Sequence, residues 1–476
     1  MNLTSIFNFF RNDVKAAIGY QQSFGELLDN GDVSRAVSMM CDCSQRAEAN
    51  LLEYDVSTHK VNKRKDKAVY DNKGNFLRWK KRWRIPIPYP TYINEISVVF
   101  LYGRPVKWSQ KSEGTDDSFS LYLSLMKESH FNSKVREAKR RAGIEETSAI
   151  LYHVYRNSEG KPALLLNVLS KKSRDDIFVM KDQYGRLTAF AWGYYLTDGH
   201  NNSVRHIDVY TKDTVYECKR GKVGWEVNKR ANEIGKIPVL LFEQDAEHKE
   251  VQPMIERVED LESKDADVND KFADPAMVAT AEIINSLPKS EEESKLFILK
   301  NGGKVEYLTW NDASQSKTNE YDRLDKHILS KSFTPNVDFD NMKNLGNMSA
   351  KAIRKVMMLA VIKADRHKEK HEEYMDRHVS LMKAIMSVMD YKHSSQHEQL
   401  VVEHEFQEPF GDDVSDRLAD LSKQFNDGAL SRESYVEQSY LVKDSKTELD
   451  RLKAEEQMRM DVQKELNKMD VFGGAE

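Results

Sequence analysis

The chain has 476 residues, with 72 Lys and Arg against 77 Asp and Glu for a formal net charge of -5. At roughly 150 residues per domain that is about three domains' worth of material, and the near balance of charge excludes a basic coat for nucleic acid. The longest wholly apolar runs, Ile237 to Phe242 and Val356 to Ile362, fall far short of the roughly 20 residues that cross a bilayer, which excludes a transmembrane helix.

Residues 1 to 10 lack the basic and apolar regions of a secretory signal, and Cys41, Cys43 and Cys218 are an odd set for a disulfide framework. Structural thiols in a reducing cytoplasm are expected. Apolar positions from Ile6 to Leu51 recur at three and four spacing, which predicts helices over residues 4–55, broken near Asn30-Gly31-Asp32. A basic stretch follows from Lys60 to Arg84, with 11 Lys or Arg against Asp66 and Asp71, net +9. Trp79 and Trp83 lie within it. Two accounts are open: nucleic-acid binding through phosphate pairing and base stacking, or a surface segment whose tryptophans pack inward while the charges stay wet. Contact with acidic parts of a neighbouring copy through Lys80, Lys81 and Arg82 is the expected use of its charge.

Pro86, Pro88 and Pro90 block a helix at first, then Tyr92 to Tyr102 is apolar enough to be buried, and Gly103-Arg104-Pro105-Val106 closes the element. Ser118 to Arg141 reads as an amphipathic helix or helix pair. From Ala149 to Phe242, short β-branched and aromatic runs separated by turn residues predict an antiparallel sheet. Helical period returns after Pro253, and residues 255–272 hold seven Asp or Glu against Arg257, Lys264 and Lys271, net -4. Lys295 to Leu299 and Lys304 to Thr309 flank Asn301-Gly302-Gly303 and predict a small hairpin. A second amphipathic helix covers 314–333. A loop rich in Asn and Asp runs from Thr334 to Asn347, and a very long helix runs from Met348 to about Tyr391 with Asn347 or Ser349 as its cap. The remainder, 403–476, carries 19 acidic and 10 basic residues, net -9, and reads as short helices with a charged tail.

The usual chemistry is missing. Each Gly-Lys dipeptide would need a glycine five residues before its Gly to make a phosphate loop, and Tyr155, Tyr216, Arg230 and Ile298 stand there instead. No Gly-x-Ser-x-Gly elbow or dinucleotide fingerprint occurs. His367, His371 and His378 share the long helix, but Lys368 follows the first where a zinc protease needs Glu. In so polar a stretch they read as a solvated or inter-subunit helix face, so no enzyme, metal or cofactor is expected.

The order of helices, sheet, helix, small insert, helix, loop, long helix and acidic tail resembles the portal proteins, or head-to-tail connectors, of long-tailed bacteriophages. Tyr92 to Val106 is similar to that family's early buried helix and its closing turn, and Asn232 to Phe242 to its last wing strand. Val337-Asp338-Phe339 through Asn347 to Ile353 is similar to the loop that leads into the family's long kinked helix, although Ser349-Ala350 stands where a Ser-Gly pair is usual. Ala429 to Ser434 and Asp444 to Glu456 are similar to its crown. The resemblance spans about 90 to 470.

The resemblance implies an α+β, mainly helical portal-type fold and a closed ring of about twelve copies around a channel. Residues 1–252 and 348–405 would form the wing, 253–274 and 314–333 the stem helices, 275–313 the clip, 334–347 the tunnel loop and 406–476 the crown. Double-stranded DNA would pass without sequence preference. The large terminase and then head-completion or adaptor proteins would dock on the clip, through Lys289, Glu291, Glu292, Lys300 and Lys304. Major capsid and scaffold proteins would be further partners, and the particle would be assembled in the host cytoplasm with this protein at a capsid vertex and no membrane contact. Duplex DNA carries about one charge per 1.7 Å, so a net-acidic channel wall keeps friction low; Glu259, Glu262 and Asp265 are the expected channel-facing carboxylates. Asn336, Asp338, Asp340, Asn341, Lys343, Asn344 and Asn347 would touch the moving backbone weakly. The alternative is a helical scaffold or adaptor of a viral particle that conducts no DNA.

Overall fold

The computed structural model describes residues 23–71, 73–197, 199, 201–272, 277–279, 305–307, 313–337, 355–407, 409, 414–439 and 445–472. Short helices α1 (Phe24–Asp29) and α2 (Val33–Ser38) lead to strand β1 (Cys41–Asp42) and helix α3 (Ser44–Tyr54). A capping box starts α1: Ser23 accepts from the Glu26 amide while Glu26 reaches back to the Ser23 amide. Then come the hairpin β2 (Lys67–Tyr70) and β3 (Phe76–Lys80), helix α4 (Tyr89–Tyr102), strand β4 (Lys107–Gln110), and helices α5 (Asp116–Glu128) and α6 (Phe131–Glu145). Pro90 sits in the first turn of α4, where the missing N–H would have had no helical partner; the helix therefore begins earlier than Tyr92. The predicted helix pair breaks at His130, whose φ of 55° is left-handed.

Strands β5 (Thr147–Arg156), β6 (Pro162–Leu169) and β12 (Val239–Glu243) form a three-stranded sheet in the order β12-β5-β6. Strands β7 (Asp176–Lys181), β8 (Leu187–Thr197), β9 (Ser203–Thr211), β10 (Thr214–Arg220) and β11 (Trp225–Ala231) join β1 in an antiparallel sheet ordered β1-β7-β8-β9-β10-β11. Alternation along β7 explains the layering: Ile177 and Val179 pack with Ala149 and Leu151 of the smaller sheet, while Phe178 faces Leu27, Leu28 and Ala36 of α1 and α2.

Helix α7 (Gln252–Phe272) and helix α8 (Ala313–Lys331) flank a short pairing of β13 (Met277–Ala279) with β14 (Val305–Tyr307). The strand at 305–307 thus pairs with 277–279; the predicted partner, 295–299, lies outside the described residues. Helix α9 (Met358–Met389) is followed by α10 (Ser394–Gln399) and by β15 (Val402–Glu405), which pairs with β4. The chain divides into two compact units, Met1–Met342 with Val356–Pro409, and Lys343–Lys355 with Phe410–Glu476. The second holds α11 (Val414–Asn426), α12 (Arg432–Gln438) and α13 (Ser445–Phe472). Ser431 caps α12, Phe425 packs on Tyr435 at 4.7 Å, and Arg432 pairs with Glu456 at 2.7 Å.

Close approaches fix how the helices of the larger unit cross. Gly143 in α6 faces Asn94 of α4 so closely that a Cβ would lie 2.0 Å from Asn94 Oδ1. Helix α9 lays Met375, Met382 and Ile385 into the core shared with α5, α6 and the small sheet. His371 and His378 fall on that same face and are buried, which corrects the expectation of a solvated histidine face. The polar run misled because the core is reached only at every third or fourth residue. Each ring is bonded through Nδ1 to a buried phenol, His371 to Tyr102 and His378 to Tyr152, both at 2.7 Å. His378 also stacks on Phe131 at 3.8 Å. Burial pushes His371 well below the usual imidazole range and His378 from 6.5 to about 3.

Because the unfolded chain binds the proton more readily, stability from neutral His378 is complete above pH 6.5 and is lost as pH falls toward about 3. His378→Gln, which keeps an acceptor for Tyr152, should flatten the acid limb of a denaturation series by about 1.4 kcal/mol per pH unit in that window. An unchanged acid limb would contradict the burial argument.

Candidate functional site

Helix α7 carries its carboxylates on three sides, and the structure uses almost all of them. Residues 59–87 run along one side as a strap. Lys60 pairs with Glu256 at 2.9 Å, His59 Nδ1 with Glu259 Oε1 at 2.6 Å, and Arg64 with Asp267 at 2.9 Å. Backbone amides follow: Ile87 donates to Glu259, Ile85 to Ser263 Oγ and Trp83 to Asp267, while the Trp83 indole N–H donates to Asp270 at 2.6 Å. The α7 positions 256, 259, 263, 267 and 270 step by three and four, so a single helix face takes the whole strap.

A second side meets α8. Ile255, Val258 and Ile328 form an apolar seam with Tyr89 and Ile93 of α4, and Arg257–Glu320 and Lys317–Asp265 pairs at 3.0 Å flank it. Tyr89 Oη donates to Asp325 at 2.6 Å. Arg257, Asp260 and Lys264 occupy the remaining side and pair among themselves.

This arrangement corrects one expected channel residue. Glu259 is 1% exposed and holds His59, itself 1% exposed; such a carboxylate cannot line a channel. Its hydrogen bond raises the His59 pKa against the opposing effect of burial. Asp265 is tied to Lys317, and Glu262 is half-buried with no ion pair to a described residue. Of the basic stretch, the tryptophans do not pack inward: Trp79 is 63% and Trp83 51% exposed. Trp79 lies on a strand, so its four-residue spacing to Trp83 has no helical meaning. The strap itself was missed, although a +9 segment and a -4 segment in one chain were the signal for it.

The described start of the expected tunnel loop is clamped to α4. Tyr92 Oη donates to the Pro335 carbonyl at 2.7 Å and accepts from the Val337 amide at 3.1 Å. Asn336 between them is exposed. Asp338, Asp340, Asn341, Lys343, Asn344 and Asn347, and the clip residues Lys289, Glu291, Glu292, Lys300 and Lys304, lie outside the described residues.

One buried ionic centre locks α9 in place. Glu247, between β12 and α7, accepts from Lys139 of α6 and pairs with Lys363 of α9, both at 2.7 Å, and with His367 at 3.0 Å. Burial alone would raise the Glu247 pKa, but the two ammonium groups and His367 outweigh it and hold the carboxyl well below its usual range. Burial lowers the pKa of Lys139 and of His367. Among the described residues, no cluster of three or more His, Cys, Asp or Glu is placed to hold a metal, and no helix is long and apolar enough to cross a membrane.

Compared with known families, residues 45–461 match the family described as "Phage portal protein, SPP1 Gp6-like". The chain belongs to this family of phage portal proteins. It is thus a portal, a head-to-tail connector of the virion at a capsid vertex, in a family that is structural and not enzymatic. No curated protein sequence matches. A solved structure described as "Neck of empty GTA particle computed with C6 symmetry" is 9% identical over 76% of this chain and 88% of that one, with a TM-score of 0.37. Another, "Virion of native gene transfer agent (GTA) particle", is 10% identical over 72% and 86%, also at 0.37.

In this portal, Glu259→Leu should lower stability toward unfolding by about 3 kcal/mol, because it strips the partner from a buried His59. The double variant His59→Phe/Glu259→Leu should lose less than the single one, and equal losses in denaturant titrations would contradict the pairing. Tyr92→Phe removes both bonds to the 335–337 backbone. Amide exchange there should quicken several-fold while α4 stays protected.

Proposed function

We propose that this portal assembles into a ring of about twelve copies and forms the channel through which double-stranded DNA enters and leaves the capsid. The observation that carries the proposal is the family match over 45–461, supported by a paired-helix unit, α7 with α8, seated on the buried helix α4. In this reading α7 and α8 are the stem, 275–313 the clip that takes the large terminase and later adaptor proteins, 334–347 the tunnel loop, and 406–476 the crown. Residues 1–252 and 348–405 form the wing that meets capsid and scaffold proteins.

The electrostatics of sliding differ from a plainly acidic wall. Helix α7, about 32 Å long at 1.5 Å per residue, has its carboxylates matched by Lys60, Arg64, Arg257, Lys264 and Lys317. A matched surface offers the phosphates few free cations, so DNA gains little by stopping there. Glu262 and Asp265 keep a part in that surface, and Asn336 with the loop beyond it supplies weak polar contact.

Native mass of the purified chain with particle images is the direct test: closed rings of 55.1 kDa subunits are expected, and a monomer persisting at high concentration and across salt conditions would favour the adaptor alternative. Given rings, Glu262→Lys with Asp265→Lys should slow DNA packaging in a reconstituted assay without altering ring mass. Unchanged packaging would remove these two residues from the channel.

A further inference from the structure

The β2–β3 hairpin carries features that a lone chain leaves uncompensated. Every residue of β3 is exposed, and a two-stranded hairpin with no core beneath it is marginal in water. It nevertheless displays Tyr70, Phe76, Leu77 and Trp79 to solvent, with Phe76 packed on Trp79 at 5.4 Å and on Tyr70 at 6.2 Å. Lys67 and Lys80 stand directly opposite one another, as do Val69 and Arg78. Like charges in register oppose pairing unless an anion lies over them, and among the described residues Lys67, Arg78 and Lys80 form no ion pair.

The complementary surface is on α9. Its core face holds His371, Met375, His378 and Met382. The opposite side, by 3.6-residue geometry, presents Met358 and Ile362, both exposed, then Arg366, whose guanidinium lies over the Phe333 ring, and then Glu369, Glu372, Glu373 and Asp376. Glu369, Glu372 and Glu373 form no ion pair to a described residue, and no bond joins this face to the hairpin within one copy. Strand β3 interleaves Phe76, Leu77 and Trp79 with Arg78 and Lys80, and the helix face sets Met358 and Ile362 before its carboxylates. The reach is compatible: about 13 Å from Phe76 to Lys80 in extended chain, against about 11 Å from Ile362 to Glu369 and about 17 Å to Glu373 in a helix.

We propose that the β2–β3 hairpin is an arm that docks on the outward face of α9 in a second copy of this chain, aromatic residues on Met358 and Ile362 and cations on the glutamates. The proposal rests on the ring reading above. Duplex DNA is the competing anion, but a phosphate surface offers the exposed aromatic residues no apolar partner, whereas Met358 and Ile362 of a second copy do.

The test is a charge exchange in the full chain, read by native mass across a dilution series. Lys67→Glu/Arg78→Glu/Lys80→Glu should raise the concentration for half-assembly at least tenfold, and so should Glu369→Lys/Glu372→Lys/Glu373→Lys. All six together should restore it to within about threefold of the starting protein, a recovery that mere misfolding does not give; all the altered side chains are exposed. Rings unaffected by either triple reversal, or no recovery in the sixfold variant, would overturn the proposal. So would intact rings that lose only their hold on a linear duplex. If the unaltered chain forms no ring at any concentration, the ring reading itself fails, which is a separate result from an insensitive ring.

Discussion

A helix with seven carboxylates in eighteen residues repels itself unless its charge is met nearby, and here it is met by a segment almost two hundred residues earlier in the chain. The bond between His59 and Glu259 is the centre of that contact: both side chains are dry, and the Ile87 amide donates to the same carboxylate oxygen. Removing either member of such a pair leaves the other buried and unpaired, which is strongly destabilising. Because the strap must lie along α7 for the pair to form, residues 85–89 are delivered to the start of α4, and α4 is delivered to the seam with α8. The position of the paired helices relative to the sheet therefore depends on one charge-matched contact.

A similar economy holds α9. Glu247 gathers cations from α6 and α9, while Ser97 of α4 also donates to it at 2.7 Å, so three helices converge on a single carboxylate. Below this point the two buried histidines bond to phenols and remain neutral. Apolar packing sets the depth of α9 in the core, and these polar contacts set its register. A one-turn slip would take Lys363 and His367 away from Glu247 and His371 and His378 away from their phenols, and each stranded group carries a desolvation penalty of a few kcal/mol.

Much of the fold was legible because periodicity is a local property. The antiparallel strands between 147 and 243, the two helices near 252–272 and 313–331, and the long helix from Met358 to Met389 follow from alternation or three-four spacing; its predicted start at Met348 and the caps Asn347 and Ser349 lie outside the described residues, and the described helix begins after a turn at Met357. What escaped was long-range. Nothing near His378 in the chain announces Phe131 and Tyr152, and nothing near Glu259 announces His59. Charge runs were read as solvent or partner surfaces because a run reveals its sign but not what it faces. Pro90 looks like a helix breaker in the sequence, yet it stands in a first turn, where its missing N–H leaves no helical bond unmade. At the site, the helix carrying Glu262 and Asp265 was correctly bounded, whereas the side chain of Glu259 was assigned to the wrong side of it.

The clamp at Tyr92 has a mechanical meaning. Two neutral hydrogen bonds, each worth about 1 kcal/mol net, tether the 335–337 backbone to a helix whose own packing belongs to the full core. A tether worth about 2 kcal/mol is open roughly three per cent of the time at rest. Under load it yields long before α4 does, since unfolding a domain requires about 5–15 kcal/mol. The clamp thus behaves as a slip coupling, releasing and re-engaging a segment of backbone while the helix it is bolted to keeps its place.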